Sequence, residues 1–143
     1  MTTSLSDHLS FDDSVRALLD GKNFASVATL GPDGSPQNSV VWIKREGDTV
    51  LFSSVDHRQK VRNLRRDPRV SVVAEAGGAG VPIRGVALQG RAEFLADGPE
   101  RRAFVDRFHK KYSDLKSYWG GHEMPSDRVM FRNVAARVRE WGP

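Results

Sequence analysis

The chain has 143 residues, 38% apolar and 28% charged, with 13 glycines and 7 prolines, a composition that excludes collagen-like, coiled-coil and strongly disordered chains and leaves a globular protein. Its net charge of +4 comes with no cysteine at all, so disulfides, thiolate nucleophiles and Cys-based metal sites are excluded. The length fits a single domain over residues 1–143 that buries its own core, and with neither an apolar run of membrane-spanning length nor a signal-peptide pattern in MTTSLSDHLSFDD, a cytoplasmic protein is expected.

Taken in chain order, Ser10 and Asp13 form a candidate capping box, Val15, Leu18 and Leu19 an apolar stripe and Gly21 a stop, which together predict a short helix over 11–20. FASVATL (24–30) and SPQNSVVWIK (35–44), joined by GPDG, predict a β-hairpin. In its second strand Val40 and Trp42 point one way and Val41 and Ile43 the other, so both faces are apolar, as in a closed or packed sheet. After the turn REGD, TVLFSS (49–54) is a third strand. Val61 and Leu64 repeat at helical spacing in HRQKVRNLRR, and Asp67-Pro68 stops that helix.

RVSVVAE (69–75) is strand-like, GGAG is expected to be a flexible loop, and IRGVALQGRAEFL (83–95) predicts a long strand with Val86, Leu88 and Phe94 on one face and a bulge at Gly90. Pro99 opens an amphipathic helix whose Phe104, Phe108 and Tyr112, beside Val105, read as core packing. Ser113 to Ser126 is expected to be a loop, and RVMFRNVAARVREW (128–141) a closing strand. Six strands, mostly in hairpin succession, with three short helices and glycines at corners predict a mainly β (α+β) antiparallel barrel with peripheral helices.

Charge is concentrated rather than spread. Between His57 and Arg69, six basic residues (Arg58, Lys60, Arg62, Arg65, Arg66, Arg69) meet one acid, Asp67, so one segment holds the whole basic excess. Such a concentration points to a local anion site, with a solvated helix face as the plainer alternative. The four histidines, His8, His57, His109 and His122, show no metal-ligand spacing, and no metal is expected. His122-Glu123, the nearest approach to an acid/base pair, reads as a loop surface pair. Nucleophile elbow, Walker and dinucleotide fingerprints are missing, so if the chain is an enzyme its chemistry needs a cofactor.

The segment S-S-V-D-H-R-Q-K-V-R-N-L (53–64) is the one constellation with chemical purpose. Free N–H groups at a helix start, the positive end of the helix dipole and two cationic side chains converge there, which suits a phosphate. Arg58 offers bidentate hydrogen bonds, Lys60 a point charge, Ser53 or Ser54 a hydroxyl donor, and Asn63 a hold on a neighbouring polar group.

FASVATLGPDGSPQ, VVWIKREGDTVLFSS, HRQKVRNLRRDPRVSV and VALQGRAEFL, in that order, resemble the pyridoxamine-phosphate-oxidase-like split-barrel family, and within it the small branch that uses the deazaflavin coenzyme F-420. The likeness covers residues 11–95 and, less closely, RVMFRNVAARVREWG; its most specific run is R-x-K-x-x-N-L-x-R-D-P-R-V. The resemblance implies a six-stranded antiparallel split β-barrel of the FMN-binding type, a homodimer with two cofactor sites at the subunit interface, and hydride transfer at the deazaflavin ring. It puts Arg58, Lys60 and Asn63 at the cofactor phosphate with Ser53 and Ser54 beside them, and Gln37, Asn38, Ser39, Val41 and Trp42 on the strand that runs along the ring. Core packing accounts for Trp42 equally well.

One departure bears on the cofactor. FMN-using members of the superfamily tend to carry an Arg on the second strand a few residues before a Lys, whereas N-S-V-V-W-I-K has Lys44 and no such Arg, which weighs against FMN although Arg58 and Lys60 alone suffice for one phosphate. The implied function is an oxidoreductase passing hydride between reduced deazaflavin and a conjugated organic acceptor, by positioning in a water-poor cleft; no side chain is implied as acid, Tyr112, Tyr118, His109 and His122 included. An FMN-dependent oxidoreductase of the same fold and a non-catalytic deazaflavin or flavin carrier are the alternatives. A nucleic-acid-binding barrel is disfavoured because no aromatic interrupts the basic helix. The expected partners are a second copy of the chain and a small-molecule substrate, with no nucleic acid and no membrane.

Overall fold

A computed structural model describes residues 10–55, 57–96, 98–112 and 129–142. The expected loop from Ser113 to Ser126, with Tyr118, His122 and Glu123, lies outside the described residues, as do His8 and the side chain of His109. In chain order the elements are α1 (Asp13–Asp20), β1 (Phe24–Leu30), β2 (Pro36–Glu46), β3 (Thr49–Ser54), α2 (Gln59–Arg66), β4 (Arg69–Gly78), β5 (Val81–Phe94), α3 (Pro99–Lys111) and β6 (Val129–Trp141). The strands pair antiparallel in the order β1-β2-β3-β6-β5-β4, and pairing of β4 with β1 closes the barrel. Among the described residues no helix is long and apolar enough to cross a membrane.

Alternation decides which side chains fill the barrel. Ala25, Val27 and Thr29 of β1 stand beside Ala74 and Val72 of β4 and Val41 and Ser39 of β2, so the small and β-branched residues of every second position meet inside. Helix α2 docks on this cluster with Val61 and Leu64, and α1 with Val15, Leu18 and Leu19. A second cluster lies on the other side of β3 and β6, where Leu51 and Met130 receive Phe104, Phe108 and Tyr112 of α3. That is the packing role expected of the aromatic stripe.

The structure departs from expectation at four places. Helix α1 is capped by Asp12, whose carboxylate accepts the Val15 N–H at 2.9 Å, rather than by a Ser10–Asp13 box. The GGAG stretch is no loose loop: β4 continues to Gly78 and β5 starts at Val81, leaving Ala79 and Gly80 as the turn. Cross-strand pairing draws the glycines into the sheet, and Gly77 is needed there because its φ is +109° and a Cβ would collide with the carbonyl of Pro82. The bulge expected at Gly90 is present, as a register shift between Gln89 and Gly90. At the end of β5, however, Phe94 is not closed into the core as Val86 and Leu88 are; it is 38% exposed, with its ring centroid 4.4 Å from that of its cross-strand neighbour Phe131. Finally, both faces of β2 are apolar as expected, yet only the inner one is fully covered: Val41 and Ile43 are buried, while Val40 is 66% exposed.

Candidate functional site

Helix α2 begins at Arg58, an N-cap with extended backbone whose N–H bonds to Val55 O at 3.0 Å and whose side chain has no acceptor with which to cap the first turn. The basic residues of this segment differ sharply in what they touch. Arg62 donates to His57 O at 2.7 Å and to Gln59 Oε1 at 2.6 Å. Arg65 lies over the ring of Phe94, 4.9 Å from its centroid, and Arg66 bonds to Leu30 O. Arg69 pairs with Asp67 at 2.7 Å, and hydrogen bonding to Arg69 holds the Asp67 carboxyl down at about 2. Arg58 is exposed, and its guanidinium has no hydrogen-bond or ion-pair partner among the described residues; Lys60 is half-buried in the first turn. Among the described residues, Arg58 is the basic residue of this run whose side chain is left without a partner, and it stands at the start of α2, at the positive end of the helix dipole.

Asn63 lies between α2 and β1. It is 0% exposed, and both ends of its amide are engaged: Oδ1 accepts from Gln59 Nε2 at 2.7 Å, and Nδ2 donates to Thr29 Oγ1 at 3.0 Å. It fastens α2 to β1. Ser53 and Ser54 are both buried, and alternation along β3 sends them to opposite sides. Ser54 shares the barrel face of Phe52 and Ser53 the α3 face of Leu51, so their hydroxyls do not converge.

The five residues of β2 divide in the same manner. Gln37, Ser39 and Val41 stand on the inner side, opposite Thr29, Val27 and Ala25, and Asn38 and Trp42 stand on the outer side. Val41 is packed in the barrel core. Ser39 Oγ is shielded from solvent and has no hydrogen-bond partner among the described residues. Gln37 is half-buried, and its Oε1 accepts the Thr29 hydroxyl at 3.1 Å.

Trp42 stacks on Tyr112 with ring centroids 4.4 Å apart and 20° between planes, and tilts against Phe24 at 5.7 Å, so packing claims at least one face of its indole. The Tyr112 phenol is held in turn, donating to Ile43 O at 2.7 Å and accepting the Ile43 N–H at 3.1 Å, and burial pushes it up to about 12. Beside it Lys111 Nζ donates to Leu19 O at 3.0 Å and Ile43 O at 2.8 Å, with burial lowering it to about 8.

Thr29, Gln59 and Lys111 are polar residues that the sequence reading does not single out and that hold this region together by hydrogen bonds. The one available signal was a Thr in the otherwise apolar inward row of FASVATL. Next to Thr29, a groove of about 320 Å³ opens between β1, β4 and β5, walled by Ala28, Leu30, Pro36 and Val70 with Arg69 and Gln89 at its polar edge. The start of α2 thus offers a cation at the positive end of a helix dipole, and the groove beside Thr29 an apolar wall with Arg69 and Gln89 at its edge; groups of these kinds fit the phosphate and the ring of a cofactor.

Solved structures of similar shape come from several sources. A conserved hypothetical protein from Mycobacterium tuberculosis is 28% identical, with a TM-score of 0.78 over 94% of this chain and 86% of the other. A FAD-binding protein from Mesorhizobium loti is 20% identical, with a TM-score of 0.75 over 94% of this chain and 97% of its own. A protein described as an F-420 reductase is 24% identical, with a TM-score of 0.70 over 90% of this chain and 98% of its own. The last two likenesses speak for the fold, the same split barrel. Residues 11–142 match the family model of pyridoxamine 5'-phosphate oxidase, from just before α1 to the residue after β6, and the chain belongs to that family.

Proposed function

We propose that the chain is an oxidoreductase that binds the deazaflavin coenzyme F-420 with its phosphate at the start of α2, and that it passes hydride between the reduced ring and a small conjugated organic acceptor. The reading rests on Arg58: an exposed cation without a partner among the described residues, at the N-cap of a helix that the side chain of this residue cannot cap. Arg58 would bind two phosphate oxygens and Lys60 would add charge, while Gln37 on β2 would donate to the ring's oxygen edge. Bound there, the cofactor supplies the hydride chemistry. Leu30, Pro36 and Val70 exclude water from one side of the groove, and the proton is taken from solvent. No side chain is assigned as acid.

Deazaflavin is favoured over FMN by β2 itself. The run from Asn38 to Lys44 has no Arg, and Lys44 Nζ is turned onto Arg45 O at 3.1 Å. Among the structural neighbours one is described as an F-420 reductase and another as FAD-binding, so barrels of this shape serve both kinds of ring in those proteins. We further propose a cytoplasmic homodimer of single-domain chains. Phe24 and Val40, 54% and 66% exposed, lie on adjacent strands beside Trp42, an outward apolar patch of the kind a second copy covers.

Absorbance titration of the purified protein with F-420 and, separately, with FMN tests the reading. F-420 is expected to bind at least about tenfold more tightly. Equal affinities, or FMN retained through purification, would establish the FMN alternative, and binding without turnover of conjugated acceptors would establish a carrier. Sedimentation at micromolar concentration should show a dimer; a monomer overturns that part.

A further inference from the structure

We infer that Thr29 is a positioning residue for this site: it fixes the carboxamide of Gln37 by its oxygen so that both amide N–H donors are left for an acceptor-rich ligand, and it ties that orientation to the helix carrying Arg58. The inference rests on the cofactor reading above and goes further by naming what reads the ligand and what sets the reader.

Four side chains form one directed chain. Gln59 Nε2 donates to Asn63 Oδ1 at 2.7 Å, Asn63 Nδ2 donates to Thr29 Oγ1 at 3.0 Å, and Thr29 Oγ1 donates to Gln37 Oε1 at 3.1 Å. A hydroxyl has a single proton. Thr29 accepts from Asn63 and gives that proton to Gln37, which answers with its oxygen. The amide nitrogen of Gln37 is then turned the other way, and neither of its N–H groups is taken by a described residue. Thr29 and Asn63 are 1% and 0% exposed, so water does not replace either contact, whereas Gln37 is half-buried and reachable.

The end of the chain is thus a pair of donors and no acceptor. It suits a ligand that presents carbonyl or anionic oxygens there, such as the dione edge of a flavin-like ring, and disfavours one that presents N–H or O–H groups. The other end begins in the first turn of α2, one residue from Arg58. A ligand held by Arg58 and Gln37 together therefore meets a spacing that Thr29 maintains.

Titration of F-420 into wild type, Thr29→Val, Thr29→Ser, Gln37→Met and the Thr29→Val/Gln37→Met double variant tests this. Thr29→Val should weaken binding roughly three- to tenfold, and Thr29→Ser, which keeps the hydroxyl, should restore it to within about twofold. Gln37→Met should weaken binding by a similar factor and add little in the double variant, since a misoriented Gln37 has nothing left to lose. Amide exchange of the free protein should quicken in α2 on Thr29→Val while β4 and β5 stay protected. Unchanged affinity in Thr29→Val, independent effects of the two substitutions, or unchanged α2 exchange would each overturn the inference. If Thr29→Val does not fold, Gln37→Met carries the decision, because unchanged affinity there removes the donor role. A wild type that binds neither F-420 nor FMN overturns the cofactor reading and this inference with it.

Discussion

Helices α1 and α2 are each eight residues long and both dock an apolar stripe on the same barrel, yet they begin in opposite ways. Asp12 and Arg58 hold equivalent N-cap positions with extended backbone, φ −77° and −69°. The Asp12 carboxylate accepts the Val15 N–H, which holds its pKa below the usual carboxylate range, and Asp13 adds negative charge in the first turn. The far end of α1 is also closed, by the Lys111 ammonium on Leu19 O. Helix α2 has no acid in its first turn and a cation where the acceptor should be, while Arg65 and Arg66 suit the negative end of its dipole. One helix is completed by the chain itself. At the other, the Arg58 guanidinium stands at the positive end of the dipole without a partner among the described residues, and this difference separates the two helix starts more sharply than net charge does.

Removing the cations that set α2 apart should give the largest effect. Arg58→Ala with Lys60→Ala deletes two charge-assisted contacts and should weaken cofactor binding by roughly one to three orders of magnitude, with folding little changed because Arg58 is exposed and Lys60 only half-buried. Arg65→Ala with Arg66→Ala should weaken it by less than about threefold, since those side chains are occupied by Phe94 and Leu30 O and lie beyond the first turn. Titration together with far-UV circular dichroism checks both pairs. Equal losses would make α2 a basic surface and nothing more.

The mirror experiment addresses α1. Asp12→Ala should lower the melting temperature by a few degrees through loss of the cap and leave cofactor affinity where it was. A drop in affinity would mean that the two helix starts are not separate devices.

How much of this was legible depends on the distance over which each feature is encoded. The bounds of β1 and β3 follow from local alternation and flanking turn residues, and the basic start of α2 from cations written two positions apart. Asn63 was readable as polar and near the cations, but its partner Thr29 is 34 positions away, and only barrel closure brings the two together. Lys111 meets Ile43 across 68 positions, with no local pattern to announce it. At Ser53 and Ser54 the strand's alternation was in plain sight, and applying it would have separated the two hydroxyls. GGAG misled for a different reason: glycine signals backbone freedom, and cross-strand pairing overrode it.

The last and smallest effect belongs to the closed end of α1. Lys111 Nζ is lowered to about 8, first by burial and then by repulsion from Lys44 and Arg45, against a pull from Asp20. The folded chain therefore releases this proton near pH 8, whereas an unfolded chain keeps it to an ordinary lysine value of about 10.4. Between those values the unfolded state binds more protons, so this group makes stability rise with pH, the reverse of what a stabilising ion pair would do. The neutral amine still has N–H donors for Leu19 O and Ile43 O, so the anchor survives loss of the charge. Tyr112, at about 12, does not titrate in this window. Melting curves of wild type and Lys111→Met at about pH 7.5 and about pH 9.5 isolate the effect, because the difference between the two proteins cancels every other titration. Wild type should gain on the variant as pH rises. A difference that stays flat would mean that Lys111 keeps an ordinary affinity for its proton, and a falling one that its charge, not its hydrogen bonds, completes α1.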